Sequence, residues 1–277
     1  MPLRYALLGG LLGLGLLSET LWPLRRAHYA KPKRVLINLS LAALSALILR
    51  ATVYPLVLIA ATTAGERHWG LLGSLPLSGP AKTLLGIVAL DYTLYFWHRL
   101  NHGPALFWRF HNVHHADLDM DVSTASRFHF GELFLSAGFR VGQIVVFGID
   151  PFTLIAFEIL ITSAAQFHHA NVRLPTRLER ALNWLFVTPR MHGIHHSLVR
   201  EETDSNYGTI FTIWDRLHRT CRLDVPQEEI VIGVPGYRDE AGLTLWNCLR
   251  LPFLRLRPWR LADGTVPNRA SSLEVSR

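Results

Sequence analysis

The chain has 277 residues, of which 49% are hydrophobic and 18% are charged, and its formal net charge is +7. This length suits one domain or two small ones, and the basic residues crowd the ends of apolar runs, where anionic lipid headgroups rather than nucleic acid are the expected partner. The two cysteines, Cys221 and Cys248, lie far apart without CxxC spacing, which indicates neither a disulfide framework nor a thiolate metal site.

The N-terminal region, residues 1–80, contains two apolar runs that predict transmembrane helices, at 5–22 and 35–61. A signal peptide is the competing interpretation of the first run, but the small-residue cleavage site is missing. By the positive-inside rule, the basic loop between the runs lies in the cytoplasm and the amino terminus lies outside. The basic residues of this loop are Arg25, Arg26, Lys31, Lys33 and Arg34.

The central region, residues 81–220, begins with a third apolar run at 83–97 that returns inward and ends at His98. Two shorter runs, 133–149 and 152–166, follow. Each is marginal for a full span, so they predict a deep helical hairpin that enters and leaves the membrane on the cytoplasmic side.

The C-terminal region is polar, with one mixed stretch at 243–261 where tryptophan, leucine and phenylalanine alternate with arginine. This stretch, within 221–261, is typical of a basic segment that lies on lipid headgroups. An ordinary amphipathic surface helix, broken by Pro252 and Pro258, remains the alternative. Residues 262–277 predict a disordered tail.

Histidines are the most informative residues, because most of the 14 fall into short clusters that the predicted topology places on one side of the membrane. On a helix, positions i, i+3 and i+4 share one face, so an HxxHH triplet presents three imidazoles to one point. One HxxHH arises by chance about once in thirty such chains, and two copies with an HxxxH make chance a poor explanation. The lone residues His28, His68 and His218 are excluded from the site. The clusters are His98–His102, His111–His115, His168–His169 and His192–His196.

The number of imidazoles exceeds what one ion can use, so the clusters predict a pair of metal ions bound by nitrogen. Imidazole ligands need hydrogen-bond acceptors to fix their tautomer and orientation. A zinc-dependent membrane hydrolase and a metal transporter or metal-binding membrane protein remain alternative functions. The candidate acceptors are Asp91, Glu132, Asn171, Asp204 and Asp215.

Over about residues 91–220 the chain resembles the fatty acid hydroxylase / sterol desaturase superfamily of integral membrane oxygenases. The resemblance rests on several motifs in the family's order and spacing: the histidine clusters, Arg127-Phe-His129-Phe-Gly-Glu132, the Phe-x-His-Ala-Asn form at 167–171, Asp204-Ser-Asn206-Tyr207-Gly208 and Trp214-Asp215-Arg216. The expected fold class is therefore all-α, an integral membrane helical bundle with a histidine-rich metal-site cap on the cytoplasmic side.

The resemblance implies a non-haem centre of two iron ions that activates O2 as co-substrate and hydroxylates or desaturates a C–H bond of a lipid, with zinc able to replace iron during purification. It implies nine metal ligands, with His169 as the ligand of its pair and His168 as a possible supporting residue. Arg127, His129, Glu132, Asn206 and Asp215 are implied as supporting residues, together with Tyr207, Trp214 and Arg216. The implied ligands are His98, His102, His111, His114, His115, His169, His192, His195 and His196.

The expected partners are a lipid substrate from the bilayer and an external electron donor of the reductase, cytochrome or ferredoxin type, because no haem or flavin motif is visible. No nucleic-acid partner is expected. Short loops without an added domain predict a bacterial inner-membrane enzyme whose metal site faces the cytoplasm.

Overall fold

The computed structural model describes residues 2–269, and within that range the chain is helical and forms no β-strand. The predicted all-α fold class is therefore confirmed. Short 3₁₀ turns occur at Val122–Ser126, Gln227–Glu229, Pro235–Tyr237 and Leu251–Phe253. The helices are α1 (Pro2–Leu21), α2 (Lys31–Thr52), α3 (Tyr54–Glu66), α4 (Gly70–Gly73), α5 (Gly79–His102), α6 (Ala105–His115), α7 (Phe130–Phe147), α8 (Pro151–His169), α9 (Thr176–Asn183), α10 (Pro189–His195), α11 (Arg200–Thr203), α12 (Ile213–Leu217) and α13 (Leu245–Arg250).

The apolar run at 35–61 forms two helices, not the single span that the sequence predicts. Helix α2 ends at Thr52 and α3 begins at Tyr54, with Pro55 in its first turn. Proline has no backbone N–H and disfavours helical geometry at the preceding residue, so the helix breaks there. A purely hydropathic interpretation missed this break because Pro55 lies within an apolar run.

Helices α7 and α8 are joined by a short turn where the sequence predicts a hairpin, and they make few direct contacts with each other. Gly148 ends α7 in the left-handed conformation at φ 73°, where a side chain would collide with the backbone of Trp69. Asp150 begins α8, because its carboxylate accepts hydrogen bonds from the N–H groups of Phe152 and Thr153 at 2.9 and 3.2 Å. Helices α3 and α5 pack against both legs of the hairpin.

The main apolar core lies where α3, α5, α7 and α8 meet. It contains Ala61 of α3, Leu90 of α5, Ile144 of α7 and Phe157 of α8, all fully buried. Large apolar side chains also cover the outside of these helices, including Ile59, which is 61% exposed. Extended apolar surface of this kind is typical of contact with lipid or with another protein.

Two helices in the described part of the chain, α2 and α7, are long and apolar enough to cross a membrane by length and composition. The predicted first and third spans form α1 and α5, which are helical but do not meet that criterion.

The ends of several helices meet at the histidine clusters. Glu19, near the end of α1, accepts hydrogen bonds from the N–H groups of Val122 and Asn171 at 2.6 and 2.8 Å. Its other oxygen binds the Lys31 ammonium at the start of α2 at 2.6 Å. The structure therefore places the end of α1 and the start of α2, which flank the basic loop, on the side of the helical bundle where the histidine clusters lie, as the sequence predicts.

Two cations of the basic loop are not available to lipid headgroups, which corrects their predicted role. Arg25 and Arg34 are only 8% and 4% exposed. The Arg34 guanidinium donates to Asp117 Oδ1 at 2.6 Å and also binds Asp121. Burial acts to raise the pKa of Asp117, but the nearby Arg34 and Arg127 outweigh it, so this pKa lies below its ordinary value.

The stretch at 243–261 forms α13 and a 3₁₀ turn, with one buried and one exposed side. Cys248 packs with Ile37 and Leu41 of α2, whereas Trp246 and Phe253 are 68% and 65% exposed. The described residues extend beyond 262 to Arg269, whose guanidinium binds Glu202. The rest of the predicted disordered tail, residues 270–277, lies outside the described residues.

Candidate metal centre

The nine predicted ligands come together in two groups whose ring nitrogens lie within 4.8 Å of one another inside each group. Eight of the nine imidazoles are buried, and His98 is half-buried. The five-histidine group contains His98, His102, His111, His115 and His195, and the four-histidine group contains His114, His169, His192 and His196.

Each HxxHH motif divides its side chains between the two groups in opposite ways. On α6, His111 and His115 join the five-histidine group and His114 joins the four-histidine group. In the motif at α10, His192 and His196 join the four-histidine group and His195 joins the five-histidine group. Because i and i+4 lie one helical turn apart, each helix contributes one imidazole pair to one group and a single imidazole to the other. The rings of His115 and His196 stack at a centroid distance of 4.3 Å, so the groups are adjacent.

Three rings of the five-histidine group are fixed through their Nδ1 atoms. His98 Nδ1 donates to the Tyr207 carbonyl at 2.7 Å, and His195 Nδ1 donates to the Ser205 carbonyl at 2.7 Å. His111 Nδ1 lies 2.9 Å from Glu132 Oε1. Each contact leaves Nε2 free to bind a metal ion. His102 Nδ1 lies 3.4 Å from Asp204 Oδ1, without hydrogen-bond geometry.

The four-histidine group has one such contact, from His169 Nδ1 to the Ala165 carbonyl at 2.8 Å. The Nδ1 atoms of His114, His192 and His196 are buried and have no hydrogen-bond partner among the described residues. Their Nε2 atoms converge: His169 Nε2 lies 3.2 Å from His114 Nε2 and 3.1 Å from His192 Nε2.

These contacts provide a test of whether the residues fit metal ions. Several buried imidazole nitrogens face one another at 3.1–3.2 Å. His102 and His195 also have buried ring nitrogens without a hydrogen-bond partner. Buried polar atoms are normally hydrogen-bonded, so unpaired nitrogens that converge on one point are suited to bind a metal ion there. Donor sets made only of imidazole suit iron, copper and zinc. The residues therefore fit two ions.

Burial also sets the protonation state of the rings. It lowers the pKa of His114, His115, His195 and His196 well below the ordinary value, and the neighbouring imidazoles lower it further. Neutral imidazole is the form that binds metal, so these rings are ready to act as ligands at neutral pH.

The segment at 204–216 supports the five-histidine group from behind. Asp215 accepts hydrogen bonds from the N–H groups of Tyr207 and Gly208, both at 2.8 Å, which positions the Tyr207 carbonyl for His98. Asp91 binds the same segment through the Trp214 indole N–H at 2.7 Å. The Arg216 guanidinium donates to the carbonyl of Asn183 at 3.1 Å.

Asn206 connects this segment to the last histidine cluster. It adopts the left-handed conformation at φ 55°, and its amide donates to the Met191 carbonyl at 2.9 Å. Within the described residues, Asp91, Asn206 and Asp215 form no hydrogen bond with the nine imidazoles, and most of their hydrogen bonds are with backbone groups. Glu132 is the predicted acceptor that binds a cluster ring directly.

Four other predicted residues have positions of their own. Arg127 binds the carbonyl of Val113 at 2.8 Å, and His129 begins α7 by accepting from the Gly131 N–H at 2.9 Å. Asn171 binds the backbone of Arg25. His168 donates to the Thr209 carbonyl at 3.1 Å and lies outside both groups, although its ring is 4.0 Å from that of His192. The excluded residues His28, His68 and His218 also lie outside both groups.

A cavity of about 320 Å³ opens beside both groups, between α5, α7 and α8. Its walls include the apolar residues Leu94, Trp97 and Ile161, and ligands of both groups line it as well. Sequence reasoning did not find the cavity residues, which are dispersed over three helices. It also missed the Asp117–Asp121 carboxylates, although their alternation directly after His115 was a visible signal.

Comparison with known proteins fits this geometry. Residues 83–220 match the model of the fatty acid hydroxylase family, a region that contains all nine clustered imidazoles. Through this region the chain belongs to the fatty acid hydroxylase family. No solved structure matches the chain at a significant level.

The relatives of this fatty acid hydroxylase family member have names that refer to lipids. Ornithine lipid hydroxylase OlsE of Rhizobium tropici is 32% identical, over 56% of this chain and 46% of its own length. Alkylglycerol monooxygenase of Xenopus tropicalis is 31% identical, over 57% and 34%. Human cholesterol 25-hydroxylase is 25% identical, over 56% and 59%. The chain thus spans less than half the length of the first two relatives.

Proposed function

We propose that the protein is a membrane-bound oxygenase that uses O2 and external electrons to hydroxylate a C–H bond of a lipid, at two iron ions held by the nine clustered histidines. The observation that carries this proposal is the pair of imidazole groups beside an apolar cavity. The relatives that are named as hydroxylases and monooxygenases of lipids support the reaction class. Iron in such a site supplies activated oxygen for attack on an unactivated C–H bond.

The residues of the chain have three tasks in this reaction. The imidazoles hold the metal ions with neutral ligands, and Glu132, Tyr207 and Ser205 orient the rings. The cavity between α5, α7 and α8 positions one carbon of the lipid and excludes water from the reacting centre. In this proposal the electrons come from an external partner such as a reductase, cytochrome or ferredoxin.

The proposed setting is a bacterial inner membrane with the metal site facing the cytoplasm. Helices α2 and α7 meet the criterion for membrane spans, and exposed apolar side chains surround the helices that form the core. Arg26, Lys31 and Lys33 support the orientation by the positive-inside rule. Arg25 and Arg34 do not contribute to this argument in the same way, because they are buried.

The experiment is to express the chain in a lipid-rich host and to compare extracted lipids with those from His195→Ala and His114→Ala variants, one from each group. We expect a lipid that gains one oxygen atom with the native protein and in neither variant. Loss of two hydrogens instead would identify the protein as a desaturase, because both reactions begin with the same hydrogen abstraction. Metal-dependent activity without O2 would favour a zinc hydrolase, and metal flux without lipid change would favour a transporter.

A further inference from the structure

The cavity beside the metal ligands contains a polar side chain without a partner. Asn101 lies on α5 between the ligands His98 and His102, is only 2% exposed, and lines the cavity. Its carboxamide makes no hydrogen bond to any described residue, whereas a buried amide normally pairs its N–H and C=O groups. Its amide atoms are not fully enclosed by protein and Asn101 lines the cavity, so an occupant of the cavity can reach and bind them.

Other polar side chains share the cavity with Asn101. Glu132, Ser136 and Arg140 follow one another at four-residue spacing, so they line one face of α7. Arg140 lies within a helix that meets the criterion for a membrane span. A cation in such a helix is costly and usually marks a substrate pathway.

Arg140 has partial compensation from the protein, to which the charges of Glu158 and Asp91 contribute. Its Nη1 donates to Gln143 Oε1 at 2.7 Å, and its guanidinium lies 4.6 Å from the centre of the Phe157 ring. Within the described residues no carboxylate forms an ion pair with it. The guanidinium therefore retains capacity to donate to an oxygen atom in the cavity.

We infer that Asn101 is a specificity-determining residue that hydrogen-bonds an oxygen or nitrogen atom of the substrate, so that the carbon that reacts lies next to a polar group of the lipid and not within a plain hydrocarbon chain. The polar face of α7 accommodates the rest of that polar region, and Arg140 donates to one of its oxygen atoms. A volume of about 320 Å³ is at the small end for ligand cavities, which suits one part of a lipid. This inference rests on the proposed function.

The first test needs no variant of Asn101 or Arg140. The host's own lipids are extracted after expression of the native protein or His195→Ala, and the new oxygen is located by fragmentation mass spectrometry. We expect the oxygen on a carbon bonded to, or one bond away from, a carbon that carries oxygen or nitrogen. An oxygen deep in a hydrocarbon chain would overturn the inference and leave the proposed function intact. No oxidised lipid at all would refute both.

The second test uses Asn101→Leu, which keeps the volume and removes the hydrogen bond, with the exposed neighbour Leu100→Ala as its control. We expect Asn101→Leu to keep its iron while kcat/KM for the identified lipid falls about 10- to 100-fold. Oxygen should also appear at additional carbons, which a merely structural role would not cause. Asn101→Ser, which retains a hydrogen-bonding group, should recover part of the loss.

Unchanged rate and unchanged oxygen position in Asn101→Leu would show that a bound water satisfies the amide, and the inference would fail. If Asn101→Leu does not retain iron, Asn101→Ser and the position of the oxygen in the native product decide the question.

Discussion

The two imidazole groups are built from the same motifs but are supported differently. In the five-histidine group, Nδ1 atoms of three rings bind Tyr207, Ser205 and Glu132, whereas in the four-histidine group only His169 has such a partner. Hydrogen bonds to the second nitrogen fix a ring's tautomer and orientation and raise its affinity for metal. The five-histidine group is therefore held in place by the surrounding fold, whereas the four-histidine group depends on packing among the imidazoles themselves.

The largest expected effect is a difference in iron content between alanine variants of two neighbouring histidines that belong to different groups. His195→Ala leaves four imidazoles in its group, whereas His196→Ala leaves three in its group. Four ligands are enough for a closed site, so we expect both variants to lose activity but only His196→Ala to fall from two iron ions per chain to about one. Metal analysis of the purified proteins measures this difference. Equal iron loss in both variants would contradict the unequal number of ligands in the two groups.

The second expected effect concerns Glu132, the carboxylate that hydrogen-bonds a cluster ring among the described residues. Glu132→Gln weakens the contact to His111, so we expect the affinity of the five-histidine group for metal to fall about 10- to 100-fold, with the four-histidine group unchanged. Iron titration of the metal-free protein measures both affinities. Glu158→Gln is the matched control, since Glu158 binds Arg4 at 3.1 Å and touches neither group. A parallel loss at both groups would mean that Glu132 supports the fold and not one site.

The third expected effect is on stability. Asp215 is buried and its oxygens accept hydrogen bonds from the N–H groups of Tyr207 and Gly208, so Asp215→Asn leaves at least one of these N–H groups without an acceptor. We expect a loss of about 1–3 kcal/mol in the free energy of unfolding, seen as a lower thermal midpoint in detergent. The control, Asp224→Asn, removes the charge of a side chain that is 77% exposed, and its midpoint should hardly change. A midpoint for Asp215→Asn equal to that of the control would show that the segment at 204–216 is held by other contacts.

The sequence predicted the all-α fold and the collection of nine histidines because helical periodicity and the spacing of histidines are local properties. It did not predict how each HxxHH motif divides between two groups, since that depends on how α6 and α10 lie relative to each other. The break at Pro55 and the buried pairing of Arg34 with Asp117 also escaped, because composition does not tell whether a cation faces lipid or a carboxylate 83 residues away. The role of Asn101 could not be predicted from the sequence for the same reason, because its lack of a hydrogen-bond partner is a property of the cavity.

The smallest expected effect is that of substituting His168, which lies beside the ligand His169 without being a ligand itself. His168 lies next to His169 and its ring contacts His192, yet its Nδ1 donates to the Thr209 carbonyl and it belongs to neither group. His168→Gln retains a donor for that carbonyl, so we expect two iron ions per chain and activity within about threefold of the native protein. His169→Gln is the matched control, and it should lose the ion of the four-histidine group. Loss of iron in His168→Gln would mean that the four-histidine group recruits a fifth imidazole, and the difference in ligand number between the two groups would disappear.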